Sequence, residues 1–239
     1  AAGGGSTAYG GVSYGSVTAP MEPGSGGGCY PASGLGGAGG GTILFSVTGM
    51  LVLDGRISAD GGAGIGEGSG GGSGGSVWVT AGTLSGAGTL SANGGMGNGF
   101  GLTGGGGGGG GRIAIQYGLN LFFGITTSRG GGGSAWGGAG TVYSKANSQA
   151  WGQVVADNGG QTGTNTTLGS VSTSTIDLTL KNGAVLSPPS SQTIGTLLIA
   201  SDGWLSVSNQ TLMVTGNATI QAGGGIIADG RGYSAGAGQ

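Results

Sequence analysis

The chain has 239 residues, of which 69 are glycine and only 6% are charged, and its net charge is −2. Disordered chains combine low hydrophobicity with high net charge, collagen repeats Gly-X-Y with abundant proline, and nucleic-acid-binding proteins carry basic patches, so this composition excludes all three classes. The sequence also contains no histidine, which removes the commonest general base and the commonest metal ligand. We therefore expect a glycine-rich all-β protein without enzymatic activity.

Residues 1–41 form a Gly/Ser-rich N-terminal segment, which we expect to pack on the rest of the fold or on a neighbouring copy. The single cysteine, Cys29, lies here in the loop-like stretch GGGCYPAS. It has no internal disulfide partner, so it is either an inert small side chain or half of an intermolecular bridge. No part of the chain approaches the roughly 18 continuous apolar residues of a membrane span.

Residues 42–144 are predicted to form glycine-rich β-helix coils, because a pattern found here twice recurs near the C-terminus. In each copy, apolar and polar residues alternate over about 20 residues, and Ala-Asp/Asn-Gly closes the segment. The copies are TILFSVTGMLVLDGRISADGG, SVWVTAGTLSGAGTLSANGG and QTLMVTGNATIQAGGGIIADG. Hairpins of a sandwich would also contain Asn-Gly turns, but a repeated strand–corner–strand unit favours a parallel β-helix.

The closing dipeptides are predicted to be turn-forming corners, because Asn, Asp and Gly tolerate the left-handed backbone of a sharp turn. These corner residues are Asp60, Gly61, Asn93, Gly94, Asp229 and Gly230.

Glycine tracts separate the predicted strands, most prominently at 68–75, 104–111 and 130–133. Glycine loses more backbone entropy on ordering than any other residue, so flexible linkers are one interpretation. Polyglycine can also form an extended helix of three residues per turn whose neighbours pack closely. Because linkers are not usually inserted repeatedly between the strands of one repeat, we expect ordered polyglycine-type tracts.

Residues 145–239 contain less glycine and are predicted to form regular β-solenoid coils that end in a glycine-rich tail. No window of a dozen residues shows the 3.6-residue period of a helix, so we expect little or no α-helix. The predicted fold is therefore an all-β, glycine-rich β-solenoid, or parallel β-helix, with ordered polyglycine-type tracts.

Enzymatic activity is disfavoured because no two of the acidic residues share a motif spacing, whereas carbohydrate-active enzymes of this fold class need clustered carboxylates. Asp54 and Arg56 are expected to form a surface ion pair. Calcium at the Asp/Asn-Gly corners is conceivable, but the calcium-binding nonapeptide repeat is missing, and we expect no cofactor.

Trp136, which glycines flank in GGGGSAWGGAG, is the best candidate for a contact with a neighbouring subunit or a glycan. Trp78 and Trp204 lie within alternating strand patterns and are expected to pack in the core. The sequence offers possible glycosylation sites at Asn165, Asn209 and Asn217, which matter only if the protein is secreted by a eukaryote.

The segments GTILFSVTGMLVLDGRISADGG, GGGGGGGGRIAIQY and LTLKNGAVLS, and their order along the chain, resemble the glycine-rich parallel β-helix repeat regions of very large secreted or surface proteins, mainly bacterial. The resemblance covers nearly the whole chain. It implies an extracellular or cell-surface location and a structural or adhesive role, with no catalytic residues.

The glycine-rich tail and the N-terminal segment would form one continuous glycine-rich stretch if two copies were joined end to end. We therefore expect a structural subunit or repeat module of an extracellular fibre, filament or surface sheath. Its partners would be copies of itself, without nucleic acid, and assembly would run head to tail through open solenoid ends and glycine tracts. The alternative is an adhesin-type module that binds glycans or surfaces.

Overall fold

The computed structural model describes residues 14–29, 34–99, 104–168 and 176–233. All regular secondary structure in these ranges is β-strand, which confirms the all-β prediction. Within the same ranges there is no helix of the length and apolarity that a membrane crossing needs.

The first part of the chain contains seven strands: β1 (Thr42–Val52), β2 (Arg56–Ser58), β3 (Ser76–Gly86), β4 (Thr89–Ser91), β5 (Arg112–Phe122), β6 (Ile125–Thr127) and β7 (Thr141–Ala146). The second part contains β8 (Gly152–Asp157), β9 (Thr166–Thr167), β10 (Ile176–Lys181), β11 (Val185–Ser187), β12 (Gln192–Ile194), β13 (Leu197–Ile199), β14 (Trp204–Ser206), β15 (Leu212–Val214), β16 (Ala218–Ile220) and β17 (Gly225–Ile227).

An open 8-stranded sheet runs through the molecule in the order β1-β3-β5-β7-β8-β10-β13-β16. Neighbouring strands pair in parallel except β7 and β8, which pair antiparallel. The sheet is therefore mixed, whereas the sequence led us to expect parallel pairing throughout. The physical reason is the connection: the few residues between β7 and β8 suffice for a tight reversal but not for the crossover that a parallel pair requires.

In the first part, β1, β3 and β5 are each followed by a bend, a short strand and two successive glycine-rich tracts. Thr42, Ser76, Arg112 and Thr141 begin the successive long strands and lie side by side. The short strands pair in the 3-stranded parallel sheet β2-β4-β6. This unit is longer than the expected period of about 20 residues because both tracts belong to it.

A core of apolar side chains lies between the long and the short strands. Val77 and Val79 of β3 and Ile113 of β5 are fully buried, as is Leu90 of β4. Their spacing of two in β3 follows from the alternation of side chains across a strand. Burial of each large side chain stabilises the fold by about 1.5–3 kcal/mol.

In the second part, successive short strands lie on three sides of an apolar core. Strands of the 8-stranded sheet form one side, the parallel sheet β17-β14-β11-β9 forms the second, and β12 and β15 form the third. Leu178, Leu186 and Ile194, one from each side, meet in the enclosed core. Asn182 and Asp202 follow β10 and β13 with φ values of 53° and 57°, so Asx-Gly dipeptides form the left-handed corners here.

Residues 14–22 contact the starts of the long strands β3 and β5. Val17 is fully buried in a cluster that includes Ala114 and Tyr143. Arg112, at the start of β5, is almost completely buried, and its Nε donates to the carbonyl of Tyr14 at 3.0 Å. Its guanidinium also donates to Thr141 Oγ1 and to the carbonyl of Thr167. Burial lowers the pKa of Arg112 to about 10, against the opposing effect of the Glu22 charge, so the side chain stays cationic at neutral pH.

Candidate functional site

Glycine-rich tracts pack side by side beyond the ends of the long and short strands, and we number them in chain order. They are tract 1 (24–28), tract 2 (35–41), tract 3 (59–65), tract 4 (69–75), tract 5 (92–98), tract 6 (104–111), tract 7 (128–133) and tract 8 (135–140).

Tract 4 shows how these tracts are held together. Successive N–H groups of tract 4 donate to three different neighbouring tracts in turn, and this order repeats every three residues. Three residues per turn is the period of a polyglycine-type helix. Gly70 and Ser73 donate to tract 1, Gly71 and Gly74 to tract 6, and Gly72 and Gly75 to tract 3. Its carbonyl groups accept from tracts 2 and 5. Tract 4 is thus bonded to five others, which a flexible spacer would not be.

The packing of tract 6 requires glycine at several of its eight consecutive glycine positions. It donates to tracts 5 and 8, and it accepts from tracts 4 and 7, so it has neighbours on most of its circumference. A Cβ at Gly108 would overlap the carbonyl group of Gly72, and one at Gly105 would overlap that of Ser69. Glycine is required at these positions because backbone occupies the space that a side chain would need.

Side chains within the outer tracts follow the same period of three. Leu35 and Ala38 in tract 2, and Asn93 and Met96 in tract 5, are three residues apart. Leu35, Ala38 and Met96 are exposed. In tract 2, the residues at the outward-facing phase carry side chains, and the residues between them are glycine.

The Ala-Asp/Asn-Gly motif has a different role from the predicted one at its first two sites. Gly61 and Gly94 lack the expected left-handed backbone and belong to tracts 3 and 5. Asp60 Oδ1 instead accepts from the N–H of Asn93 at 2.7 Å, and Asn93 Oδ1 accepts from the N–H of Arg129 at 2.9 Å. Each side chain thus ties its coil to the next. At the third site, Asp229 and Gly230 lie in a turn, and Gly230 has a φ of 66°.

The expected ion pair between Asp54 and Arg56 does not form. Arg56 pairs with Asp60, because these residues and Ser58 lie on the same face of β2 and its extension. Asp54 Oδ1 accepts from the N–H of Ala87 at 3.0 Å and so connects two successive bends.

The two ends of the 8-stranded sheet expose apolar side chains. Leu44 and Met50 of β1 are 59% and 60% exposed at one end, and Ile220 of β16 is 50% exposed at the other. Met213 of β15 and Ile226 of β17, the strands that precede and follow β16 in the chain, are also exposed. β1 and β16 each have one strand partner among the described residues, so each also presents unpaired backbone groups. The alternation in the sequence predicted both strands, but it gave no signal that they would be the outermost ones.

The tryptophans occupy distinct environments. Trp136, in tract 8, is 40% exposed, and its ring lies over Gly132 of tract 7. Trp78 and Trp204 are partly buried, and the Nε1 of Trp204 donates to Asp202 at 3.4 Å. Trp151, which like the other three tryptophans could stack on a sugar ring, is 44% exposed in the turn between β7 and β8.

The remaining candidate residues lie apart from one another. Asn165, Asn209 and Asn217 are exposed, so their glycosylation stays a prediction. Cys29 is exposed and free. In the described parts of the chain, no three potential ligands among His, Cys, Asp and Glu lie close enough together to hold a metal ion.

Comparisons with protein-family models, with curated proteins and with solved structures found no match to this chain.

Proposed function

We propose that the protein is a structural subunit of an extracellular fibre or surface sheath, in which the coils form a solenoid and copies associate end to end. The observation that carries this proposal is the pair of open sheet ends at β1 and β16, both of which expose apolar side chains. Unpaired strand edges with exposed apolar residues favour pairing with another chain.

The composition supports the same role. Edge strands that stay monomeric are commonly protected by charged residues, proline or a covering segment. Neither β1 nor β16 contains a charged residue or a proline. With a net charge of −2, electrostatic repulsion between copies is weak.

The strand directions define how copies would join. Because the sheet reverses once, between β7 and β8, β1 and β16 run in opposite directions. Copies related by translation along the sheet would therefore join β16 of one to β1 of the next in antiparallel pairing, a geometry as suitable for sheets as the parallel one. Such a head-to-tail contact does not close on itself and produces a filament.

Sedimentation velocity and electron microscopy of the purified chain over a range of concentrations test this proposal. We expect filaments or long oligomers for the unaltered chain and weakening of association by at least about tenfold for Leu44→Lys or Ile220→Lys. Phe123→Lys is the matched control, because Phe123 is 80% exposed between β5 and β6, away from both ends. An unaltered chain that stays monomeric at high concentration would overturn the proposal.

Mixing the two variants distinguishes head-to-tail from symmetric association. The Leu44→Lys chain keeps its β16 end intact, and the Ile220→Lys chain keeps its β1 end intact. We therefore expect each variant to stay monomeric alone and the mixture to form dimers that grow no further. Dimers of Ile220→Lys alone would indicate a symmetric contact between two β1 strands and would contradict the head-to-tail arrangement.

An adhesin-type function is the second candidate, and the exposure of Trp136 and Trp151 favours it. Exposed aromatic rings are suited to stacking on the apolar faces of sugar rings. Binding to a glycan array that Trp136→Ala or Trp151→Ala abolishes, with end-to-end association unchanged, would support this function. Binding that neither change affects would remove the reason for it.

A further inference from the structure

We propose that Trp151 and a row of polar side chains on the outer face of the 8-stranded sheet form a binding site for a neutral, extended polysaccharide. The row consists of Ser144, Gln153, Asp177 and Thr196, and we call it the polar row. The proposal rests on the adhesin-type function, the second candidate above, and specifies its site and its ligand class. It does not depend on end-to-end assembly.

The polar row is set by the register of the strands. Ser144 of β7 pairs with Gln153 of β8, which in turn pairs with Asp177 of β10. Thr196 directly precedes β13, and its N–H donates to Asp177 Oδ1 at 2.7 Å. Because neighbouring strands lie about 4.8 Å apart, the four side chains follow one line about 14 Å long across the sheet.

The polar row faces away from the core. Val154 of β8 and Leu178 of β10 are buried in the core. Because side chains alternate across a strand, the residues before them, Gln153 and Asp177, point to the opposite face. Gln153 and Thr196 are exposed, and Asp177 is partly exposed. The row therefore presents an amide, a carboxylate and a hydroxyl group to solvent.

The ring of Trp151 lies over Gly195, next to the polar row. A Cβ at Gly195 would lie 2.7 Å from Cε3 of Trp151 and 2.5 Å from Asp177 Oδ1. The ring and the carboxylate thus occupy the space above the same glycine, and Gly195 is buried although the adjacent Thr196 is exposed. Backbone therefore supports the ring from the protein side, while Trp151 as a whole is 44% exposed.

This combination of groups suits the recognition of a sugar. A pyranose ring has an apolar C–H face, which an aromatic ring such as that of Trp151 can cover, and hydroxyl groups around its edge. The carboxylate of Asp177 accepts hydrogen bonds, and the amide of Gln153 both donates and accepts them. Binding sites for small molecules combine such an apolar surface with a few polar groups that fix the orientation of the ligand.

Charge and shape define the ligand class. Lys181, the one cationic residue of β8 and β10, pairs with Asp157 Oδ2 at 3.3 Å. The charge of Asp177 repels anionic groups, so the site favours neutral sugars over uronic acids. The polar row follows a line across an open sheet, which matches an internal segment of an extended chain, such as a β-1,4-linked one, rather than a terminal sugar.

Trp136 has a comparable platform without the polar row. Its ring lies over Gly132, as that of Trp151 lies over Gly195. The residues next to it in tract 8, Ala135 and Gly137, have no polar side chain. Trp136 is therefore the matched control for stacking alone.

NMR of the full chain labelled with ¹⁵N-tryptophan tests the site directly, with hexasaccharides of β-1,4-linked glucose and β-1,4-linked mannose as probes. We expect the indole N–H signal of Trp151, assigned with Trp151→Phe, to shift on addition of a probe, and the signals of Trp78, Trp136 and Trp204 to stay in place. A shift confined to Trp136 would overturn the proposal and leave the adhesin-type function intact. Absence of binding to both probes and to a glycan array would overturn both.

Isothermal titration calorimetry with the same probes measures the contribution of each group. We expect Trp151→Ala to weaken binding by at least about tenfold. Asp177→Asn should weaken it by about fivefold, because asparagine keeps an acceptor for the N–H of Thr196 but loses the charge. The controls Trp136→Ala and Asp229→Asn, the latter in an exposed turn, should leave affinity unchanged. Unchanged affinity in Trp151→Ala, or binding to polygalacturonate but to neither neutral probe, would overturn the proposal.

Discussion

Replacement of Gly108 by alanine should destabilise the protein strongly, although alanine is the smallest possible addition. The new methyl group would overlap the carbonyl group of Gly72, so tract 6 would have to move away from tract 4. The shift would break two hydrogen bonds, from Gly108 N–H to the carbonyl of Gly95 at 2.9 Å and from Gly131 N–H to the carbonyl of Gly108 at 2.8 Å. Each bond contributes about 1 kcal/mol net, and overpacking costs about 1–3 kcal/mol more.

The lower entropy of alanine in the unfolded chain offsets about 0.4–1 kcal/mol of this cost. We therefore expect the free energy of unfolding to fall by about 2–4 kcal/mol, a large part of the roughly 5–15 kcal/mol of a typical domain. The free energy of unfolding is measured by urea denaturation, with tryptophan fluorescence as the signal. Gly26→Ala is the control, since its Cβ would lie 3.6 Å from the carbonyl oxygen of Gly37, an ordinary contact. If both variants unfold at the same urea concentration, close packing of the tracts is not what requires glycine.

Three further changes test individual contacts. Asn93→Ala should lower the free energy of unfolding by about 1–3 kcal/mol, because the N–H of Arg129 loses its acceptor, whereas Asn98→Ala, at an exposed side chain, should have little effect in the same denaturation assay. Burial raises the pKa of Asp157, but hydrogen bonds and the charge of Lys181 lower it more, so its net pKa lies below 3.8. The ionised Asp157 carboxylate therefore stabilises the fold above pH 3.8, and this stabilisation is lost as the pH falls through the lowered pKa of the folded state. We expect Asp157→Asn to reduce the acid-induced drop in melting temperature, measured by circular dichroism. Trp136→Ala should leave the melting temperature within a few degrees of the unaltered chain, because the ring is exposed and packs on one glycine; a large loss would show that the ring is structural.

The strands were predictable because their signal is local. Alternation in β3 and β10 depends only on residues two apart, and each of these strands has one face in a core. The glycine tracts were also predictable as extended elements, because glycine without Cβ can pack at distances that no other residue permits. Asp202 and Asn182, each followed by glycine, carry the ordinary signal of a left-handed corner.

The partners of the tracts could not be predicted from the sequence. One glycine is identical to the next, so nothing in tract 6 indicates that a Cβ would overlap the carbonyl group of Gly72 at Gly108 but would lie 3.8 Å from the carbonyl oxygen of Gly138 at Gly109. The flanking strands decide this register, because the pairing of Arg112 with Ser76 fixes where tracts 4 and 6 end. The role of Asp60 was missed for the same reason: its partner, Asn93, belongs to the next coil.

The sequence by itself therefore determined the elements: strands with one buried face, and tracts whose backbone can approach other backbone. The tertiary structure decided how those elements combine, including the reversal between β7 and β8 and the identity of the outermost strands. The physical reason is that hydrogen bonds between coils join residues far apart in the chain. Their geometry depends on how the whole stack is aligned, and short-range side-chain patterns do not encode that alignment.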